Sequence, residues 1–240
     1  MGVYSNTQIA AAVNDGTIVC VPFNPRHVSE ASLDFTLGHY FYKQEDQPEA
    51  SGVYNPFDRD DVARYFKGPL EAMPHKEWCD NNGLQLFDNI PEDHPIIVLR
   101  PGERILAHTH EFVGIRARGG ACEVKSRSSW GRNGVAVCFD AGWVDPGYIN
   151  RITLEIYNLN MHESVVLPVG ERIGQLIFHT TGPVDGDYSD GRDGMSGKYQ
   201  HTNDLDELIR TWSPEQMLPR AYKDRRQAAP IIPGLPEGIK

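Results

Sequence analysis

Short β-branched segments separated by turn residues dominate the chain between residues 95 and 181, and they constrain its fold more than any other feature. Gly or Pro turns separate the segments, and a new segment begins roughly every ten residues. This spacing is typical of an all-β sandwich or barrel. The segments are PIIVL, GVAVCF, RITLEIYNL, SVVLP and RIGQLIF.

A partial internal repeat supports a sheet that folds back on itself. The sequence VLRPGERI at 98–105 resembles VLPVGERI at 166–173. Both copies place Gly-Glu-Arg-Ile at a tight turn that leads into a strand. Two matching hairpins of this kind predict a jelly-roll arrangement.

The N-terminal segment predicts a helix followed by a strand. Ser5 and Gln8 fit a capping box, in which the two side chains bond to each other's backbone N–H groups. The Asn-Asp-Gly sequence at 14–16 is expected to end the helix. Residues 17–23 then predict a short strand that is closed by prolines.

The segment between this region and the β-rich core is interpreted as an insertion. Residues 43–95 are rich in Asp, Glu, Asn and Pro, and they predict loops with one short helix around 60–66. The expected organisation is one domain over residues 1–202 that contains the insertion, followed by an extension over residues 203–240.

The C-terminal part predicts a polar tail and a helical extension. Residues 182–202 are polar and Gly-rich, so this stretch is expected to be mobile unless a ligand binds it. Thr202 or Asn203 is expected to cap a helix, and Ser213 with Pro214 resembles a second helix start. The apolar residues of the first helix are Leu205, Leu208, Ile209 and Trp212.

The composition excludes several function classes. The chain has 23 Lys and Arg against 33 Asp and Glu, a formal charge of −10, which argues against non-specific binding to nucleic acid or to an anionic membrane. No apolar run approaches the roughly 20 residues that a membrane span needs. The N-terminus lacks a secretory pattern, so a cytoplasmic protein is expected. The four widely separated cysteines are expected to be reduced packing residues.

A small cationic, hydroxyl-rich segment interrupts this acidic background. Lys125, Arg127 and Arg132 lie within residues 125–134, a stretch that contains no acidic residue, and Ser128 and Ser129 lie between the two arginines. Arg guanidinium groups and Ser hydroxyls match the oxygens of phosphate. This segment is therefore interpreted as a site for a small phosphorylated ligand.

One carboxylate stands out on a predicted strand. In RITLEIYNL, alternation places Ile152, Leu154 and Ile156 on one face and Glu155 on the other. A solvent-exposed glutamate is the simpler interpretation. The alternative is acid/base chemistry, because Asp145 lies ten residues earlier across a turn-rich stretch and the two carboxylates could meet at one pocket.

Several motifs together resemble the dCTP deaminase family within the trimeric dUTPase superfamily. Their order and spacing fit over roughly residues 5–40 and 95–200. The motifs are EASLDFTLG (30–38), RSSWGR (127–132), DPGY (145–148), ITLE (152–155), IGQL (173–176) and KYQ (198–200).

The resemblance implies a homotrimer with its site between subunits, and metal-free hydrolytic deamination of dCTP to dUTP, or in a bifunctional form onward to dUMP and pyrophosphate. The P-C-x-x-C motif that accompanies H-x-E in zinc deaminases is absent from the sequence. Glu155 would be the general base, and Ser128 would position the water or the amine with backbone groups near Ala141. Asp145 would bind the 3′-hydroxyl, and Tyr148 would pack on the deoxyribose.

The remaining expected contacts concern the triphosphate and the pocket walls. Magnesium would be carried by the triphosphate, with few or no direct protein ligands. The tail would close over bound nucleotide and exclude water. The implied substrate-binding residues are Arg127, Ser129, Arg132, Asp140, Ala141, Trp143, Tyr148, Gln175, Tyr188, Lys198 and Gln200.

Departures from the family pattern leave other functions open. Cys138 stands where the family usually has His, and Asp140 stands where it has Thr. A dUTPase, a deaminase of a modified pyrimidine nucleotide, or a non-catalytic nucleotide-sensing regulator would also fit. His108 and His110 form an H-x-H that suits a metal-dependent cupin, but the further ligands are missing, so both are expected to be surface residues.

Overall fold

The computed structural model describes residues 2–44, 52–186, 188–190 and 197–223. Within these ranges the chain is mainly β, as predicted, with antiparallel sheets and few helices. The strands are β1 (Ile18–Val21), β2 (Leu33–Thr36), β3 (Tyr40–Gln44), β4 (Phe66–Glu71), β5 (Met73–Pro74), β6 (Pro95–Leu99), β7 (Arg104–His108), β8 (Phe112–Ile115), β9 (Ala121–Ser126), β10 (Val135–Ala136), β11 (Trp143–Val144), β12 (Ile149–Asn150), β13 (Thr153–Asn158), β14 (Val165–Pro168) and β15 (Arg172–His179).

The described strands form four sheets that share one hydrophobic core. Phe35, Ile105, Leu154 and Phe178 are among the side chains buried in this core. The jelly-roll closure of the barrel and the homotrimer remain predictions. The strand orders are β10-β13-β7-β3-β4, β11-β9-β15-β2, β1-β8-β12 and β14-β6-β5.

The α-helices are short and lie at the periphery of the sheets. Short 3-10 turns supplement them, including one over Pro214–Met217. None of the helices in the described ranges is long and apolar enough to cross a membrane. The helices are α1 (Asn6–Asn14), α2 (Arg59–Tyr65), α3 (His75–Asn82), α4 (Ser128–Arg132) and α5 (Leu205–Thr211).

The internal repeat forms two equivalent hairpins, as predicted. Its copies are β6 with β7 and β14 with β15, and the turns contain Gly102 and Gly170 at φ 71° and 78°. Only glycine adopts this left-handed conformation without steric cost. The first strands of the copies pair with each other, whereas β7 and β15 enter different sheets. The equivalent residues Arg104 and Arg172 of the two copies therefore lie on two separate surfaces.

The predicted N-terminal elements are confirmed. The Ser5 side chain accepts a bond from the backbone of Gln8, and the Gln8 side chain accepts one from the backbone of Ser5, which completes the capping box of α1. The strand predicted over 17–23 is β1, which pairs with β8. All four cysteines are buried and free of disulfides.

The insertion contains more regular structure than its polar sequence predicts. The expected helix near 60–66 is α2, but β4, β5 and α3 were not predicted. Strand β4 contains Gly68 and Pro69, which are depleted in strands. Helix α3 buries only His75 and Cys79, so its sequence lacks a clear apolar stripe. Residues 45–51 lie outside the described residues.

Two other predictions need correction. The segment GVAVCF forms only the two-residue strand β10, because the chain turns at Phe139, which adopts a positive φ of 46°. Helix α5 is capped by Asp204, whose carboxylate accepts a bond from the backbone of Glu207 at 3.1 Å, and not by Thr202 or Asn203. Within the tail predicted to be mobile, residues 187 and 191–196 lie outside the described residues.

His108 is buried, so the prediction of a surface residue is wrong for it, whereas His110 is exposed as expected. The imidazole of His108 donates to the Thr109 carbonyl at 2.8 Å and accepts from the Tyr40 backbone at 3.2 Å. Burial lowers the pKa of His108 to about 4, so the ring is neutral. The sequence did not predict the burial of His108, because the residue that covers it, Trp212, belongs to the extension, which contains no motif.

Candidate functional site

Strand β13 presents Glu155 to a pocket. Its side chains alternate as predicted: Leu154 and Ile156 are buried in the core, and Glu155 lies on the opposite face, directly across from Leu106 of β7. A pocket of about 390 Å³ opens over this face. Six residues predicted from the sequence line it: Ala141, Trp143, Asp145, Tyr148, Glu155 and Tyr188.

The Glu155 side chain is half-buried, and its carboxylate is incompletely hydrogen-bonded. Its Oε2 atom has no hydrogen-bond partner among the described residues. Burial raises the pKa of Glu155 to about 7, and the backbone N–H and the Arg104 cation oppose part of this rise. A buried carboxyl with a free oxygen and a pKa near neutrality can take a proton from water or return one. The interpretation as a solvent-exposed surface residue is therefore not supported.

The loop before β11 forms the mouth of the pocket. The positive φ of Phe139 turns the chain, and the Ala141 N–H donates to the Cys138 carbonyl at 2.9 Å. A non-glycine residue in this conformation costs about 1–3 kcal/mol, which the surrounding structure must offset. Beyond the turn, the Trp143 indole donates to the Asp145 carboxylate at 3.1 Å. The loop thus places a carboxylate and an exposed aromatic ring at the entrance.

The two residues that depart from the family pattern lie on different sides of this loop. The Cys138 thiol is buried and bonds to the Val124 carbonyl at 3.4 Å. Burial raises its pKa, and the nearby Glu155 charge adds to the rise, so the thiol stays protonated. Asp140 is exposed and does not line the pocket. Its carboxylate is close enough to Lys125 to help raise the pKa of that amine, after Glu123.

Two aromatic residues that line the pocket pack against each other. The rings of Tyr148 and Tyr188 pack edge to face with centroids 4.9 Å apart. The Tyr188 N–H donates to the Pro146 carbonyl at 3.2 Å, which holds the tail segment against the DPGY turn. Burial raises the pKa of both phenols, so both are neutral donors at physiological pH.

The predicted phosphate-binding residues form a second group, together with Ser128, which was expected to position the water or the amine. Ser128, Ser129 and Arg132 are exposed on α4, and Arg127 precedes that helix and pairs with the buried Asp34 at 3.2 Å. None of the four lines the Glu155 pocket of the same chain. Arg172, the repeat counterpart of Arg104, pairs with the same carboxylate at 3.2 Å.

Gln175 lies beside this second group. Its side chain accepts a bond from Ser32 at 3.1 Å, and in the sheet it stands next to Asp34 on β2 and Lys125 on β9. The sequence-predicted residues thus fall into two surfaces, one around Glu155 and one around Arg127. A single chain does not bring them together, and a site shared between subunits remains a prediction.

Gln200 is placed by the structure as an anchor of the tail. It is buried, its amide donates to the Gly147 carbonyl at 3.0 Å and to Asn203 at 2.9 Å, and its oxygen accepts from the Ile149 backbone at 2.7 Å. Both amide hydrogens are therefore used inside the protein. Its predicted contact with substrate stays untested, as does that of Lys198, whose carbonyl accepts from Arg220 at 2.6 Å.

Within the described ranges, no group of three or more His, Cys, Asp or Glu side chains is arranged to hold a metal ion. Carriage of magnesium by the triphosphate remains a prediction.

A model of the dCTP deaminase-like family matches residues 3–181. The chain belongs to this family. The family assignment made from the motifs is confirmed. Among its relatives, a dCTP deaminase, dUMP-forming, from Methanopyrus kandleri is 31% identical over 204 residues, which is 83% of this chain and 91% of the relative. The protein of that name from Thermobifida fusca is 30% identical over 198 residues, 82% of this chain and 86% of the relative.

A solved structure is also similar to this chain. It is the 2′-deoxycytidine 5′-triphosphate deaminase from Agrobacterium tumefaciens, with 21% identity and a TM-score of 0.49. The similarity covers 74% of this chain and 48% of that chain, so this chain spans about half of that protein.

Several pocket residues were missed from the sequence. Arg104 lies in the internal repeat, which was used only to infer hairpins. Its guanidinium donates to the Tyr157 hydroxyl at 3.0 Å and stands two residues from Leu106, diagonal to Glu155. Phe66 belongs to the insertion, and three further missed residues follow the segment that the dCTP deaminase-like model matches. Those are Tyr199, Met217 and Pro219.

Proposed function

We propose that the protein deaminates dCTP by hydrolysis, converting dCTP and water to dUTP and ammonia. The observation that carries this proposal is the Glu155 carboxylate, which lines a pocket, has a buried oxygen without a hydrogen-bond partner among the described residues and has a pKa of about 7. Membership of the dCTP deaminase-like family agrees with it. At neutral pH a substantial fraction of such a carboxyl is ionised and able to act as a general base.

Glu155 would act twice in each turnover. The ionised carboxylate takes a proton from a water molecule as its oxygen attacks C4 of the cytosine ring. The protonated carboxyl then delivers that proton to the ring nitrogen N3. The carboxylate next moves the remaining proton of the former water, now part of a hydroxyl group on C4, to the amine as the C4=O bond forms. The C4–N4 bond breaks, ammonia leaves, and Glu155 returns to its ionised form. Arg104, the cation that shares the pocket, favours that ionised form.

The triphosphate is proposed to bind the second surface of a neighbouring subunit in a homotrimer. In one chain, Arg127, Ser129 and Arg132 lie outside the pocket of Glu155, so a second copy of the chain is needed to bring both surfaces to one nucleotide. Ser128 of that copy would hold the attacking water or the amine. Magnesium, bound to the phosphate oxygens, would reduce their charge.

A second reaction, from dUTP and water to dUMP and pyrophosphate, is part of the proposal. The relatives named above are dUMP-forming, and Asp145 lines the same pocket as Glu155. Its carboxylate can orient the second water or bind the 3′-hydroxyl. The alternative of a modified base rested on Asp140, which does not line the pocket in a single chain.

The test is a product-resolved assay. The full-length protein is incubated with dCTP and magnesium chloride, and nucleotides are separated by anion exchange while ammonia is measured in parallel. A panel of dCTP, dUTP, 5-methyl-dCTP and CTP gives the substrate choice. The proposal predicts loss of dCTP with equimolar ammonia and formation of dUTP or dUMP. No loss of dCTP between pH 6 and 9 would refute it.

A further inference from the structure

Two segments outside the motifs build one wall of the Glu155 pocket. Phe66 comes from the insertion, and Met217 and Pro219 come from the extension. Phe66 and Met217 belong to one buried cluster with Leu106, the residue directly across from Glu155 in the sheet. The wall therefore contacts β7, the strand that pairs with β13 next to Glu155.

We propose that the insertion and the extension are working parts of the catalytic site, in which Phe66 and Met217 form an apolar wall that keeps water away from the Glu155 carboxylate. This inference rests on the proposed function and gives a role to both segments. Phe66 and Met217 act through Glu155, so they are positioning residues. The consequence is that the basicity of the catalytic group depends on segments distant from it in sequence.

The extension is fixed to the domain at several points. Leu208 packs in a buried cluster with residues of β1, β8 and β12. The ring of Trp212 lies 4.7 Å from the Arg151 guanidinium and 4.7 Å from the His108 ring. Asn150 donates to the Gln216 side chain at 3.2 Å. Because Asn150 and Arg151 come just before β13, the extension is tied to the strand that carries Glu155.

The segment after these anchors separates two cavities. Met217 and Pro219 face the Glu155 pocket, whereas Leu218 and Arg220 face a second cavity of about 390 Å³ beside α2. Two hydrogen bonds hold the segment that separates the cavities. The Arg220 N–H donates to the Tyr199 hydroxyl at 3.0 Å, and the Arg220 guanidinium donates to the Lys198 carbonyl. Adjacent residues therefore face opposite sides of one segment.

The wall is apolar and almost completely buried. Phe66, Leu106 and Met217 expose 5%, 4% and 3% of their surfaces, and none of their side chains can donate a hydrogen bond to a carboxylate. Such surroundings disfavour a charged carboxylate. Among the described residues, the charged and titratable groups that line the pocket or lie near Glu155 are Arg104, Cys138, Asp145, Tyr148, Tyr157, Tyr188 and Tyr199.

The test replaces wall residues and follows the pH dependence of the base. Met217→Gln keeps the length of the side chain and adds a donor to the wall, and Met217→Leu keeps the wall apolar. Leu218→Gln is the matched control, because Leu218 packs against the same buried cluster as Met217 but lines the second cavity and not the Glu155 pocket. Phe66→Tyr tests the other half of the wall. For each full-length variant, kcat/KM for dCTP is measured from pH 5 to 9.

The inference predicts that the acid limb of the profile moves to lower pH by roughly half a unit to one unit in Met217→Gln and Phe66→Tyr. In Met217→Leu and in Leu218→Gln, the acid limb of the kcat/KM profile should stay at the wild-type pH. An unmoved limb in folded Met217→Gln and Phe66→Tyr proteins would overturn the inference, as would an equal shift in Leu218→Gln.

A second readout does not need turnover. The pH-dependent difference in unfolding free energy between Glu155 and Glu155→Gln proteins reports the basicity of Glu155, and it should shrink in the Met217→Gln background. If the wild type fails to deaminate dCTP, the proposed function fails while this readout still decides the role of the wall. An unchanged difference in the Met217→Gln and Phe66→Tyr backgrounds would refute the wall, even in an active enzyme.

Discussion

Glu155→Gln should make the protein more stable and inactive at the same time. Burial raises the pKa of Glu155 from its ordinary 4.5 to about 7. The folded protein therefore keeps a proton, between about pH 4.5 and 7, that the unfolded chain has already lost. The contribution of this group to the free energy of unfolding is fully present below pH 4.5, and it is lost as the pH rises from 4.5 through 7. Above pH 7 the charge lowers the free energy of unfolding by about 3 kcal/mol.

Glutamine has nearly the same shape and carries no charge at any pH, so the variant avoids this cost. Its advantage in unfolding free energy should be small near pH 5 and grow to about 3 kcal/mol at pH 8. Urea unfolding followed by tryptophan fluorescence measures it, at one fixed protein concentration because assembly shifts apparent stability. In the same samples, deamination of dCTP should fall by at least about a thousandfold, because the general base is lost.

Glu123→Gln is the matched control, because the pKa of Glu123 is lowered by folding and not raised. The effect of this carboxylate on stability therefore changes with pH in the opposite direction. Hydrogen bonding and charge from Lys125, with a smaller effect of His179, lower the pKa of Glu123. Its stabilising effect is present above the ordinary pKa and lost in acid, so this variant should be less stable than the wild type at pH 8. If Glu155→Gln gains no stability between pH 5 and 8, the carboxylate is solvated and the reasoning about the base is wrong.

Three further predictions test the surrounding groups. Arg104→Met removes a cation that lowers the pKa of the catalytic carboxyl, so the acid limb of kcat/KM should move to higher pH, whereas Arg100→Met on the exposed turn should not move it. Asp34→Asn should lower the urea-unfolding free energy by about 2–4 kcal/mol, because Arg127 loses its buried partner; an unchanged midpoint would contradict this. Asp145→Asn should slow dUMP formation more than loss of dCTP in product-resolved time courses, and equal slowing of both would argue against a separate role.

The fold was predictable where local chemistry and pattern agree. Alternating apolar residues in β13, the capping box of α1 and the repeated turns at Gly102 and Gly170 each depend on neighbours in sequence. The insertion was not predictable in the same way. Strand β4 contains Gly and Pro and forms by pairing with the edge of β3, and this tertiary contact leaves no periodic signal in the chain.

The site was predictable only in part, for a related reason. Motifs identified Glu155 and Asp145 together with the aromatic residues around them. They said nothing of Phe66 and Met217, which reach the pocket through packing of variable segments. His108 was misplaced because its burial depends on Trp212, more than 100 residues later in the chain.

The most direct test of the central claim is oxygen labelling of the product. The wild-type protein and Glu155→Gln are incubated with dCTP in water enriched in ¹⁸O, and the uracil nucleotides are analysed by mass spectrometry with fragmentation of the base. The account predicts one ¹⁸O on the uracil ring at C4 with the wild type, and almost no labelled base with the variant. Unlabelled uracil from the wild type, or labelled product formed by Glu155→Gln at a near wild-type rate, would contradict the assignment of Glu155 as the group that drives water onto the pyrimidine.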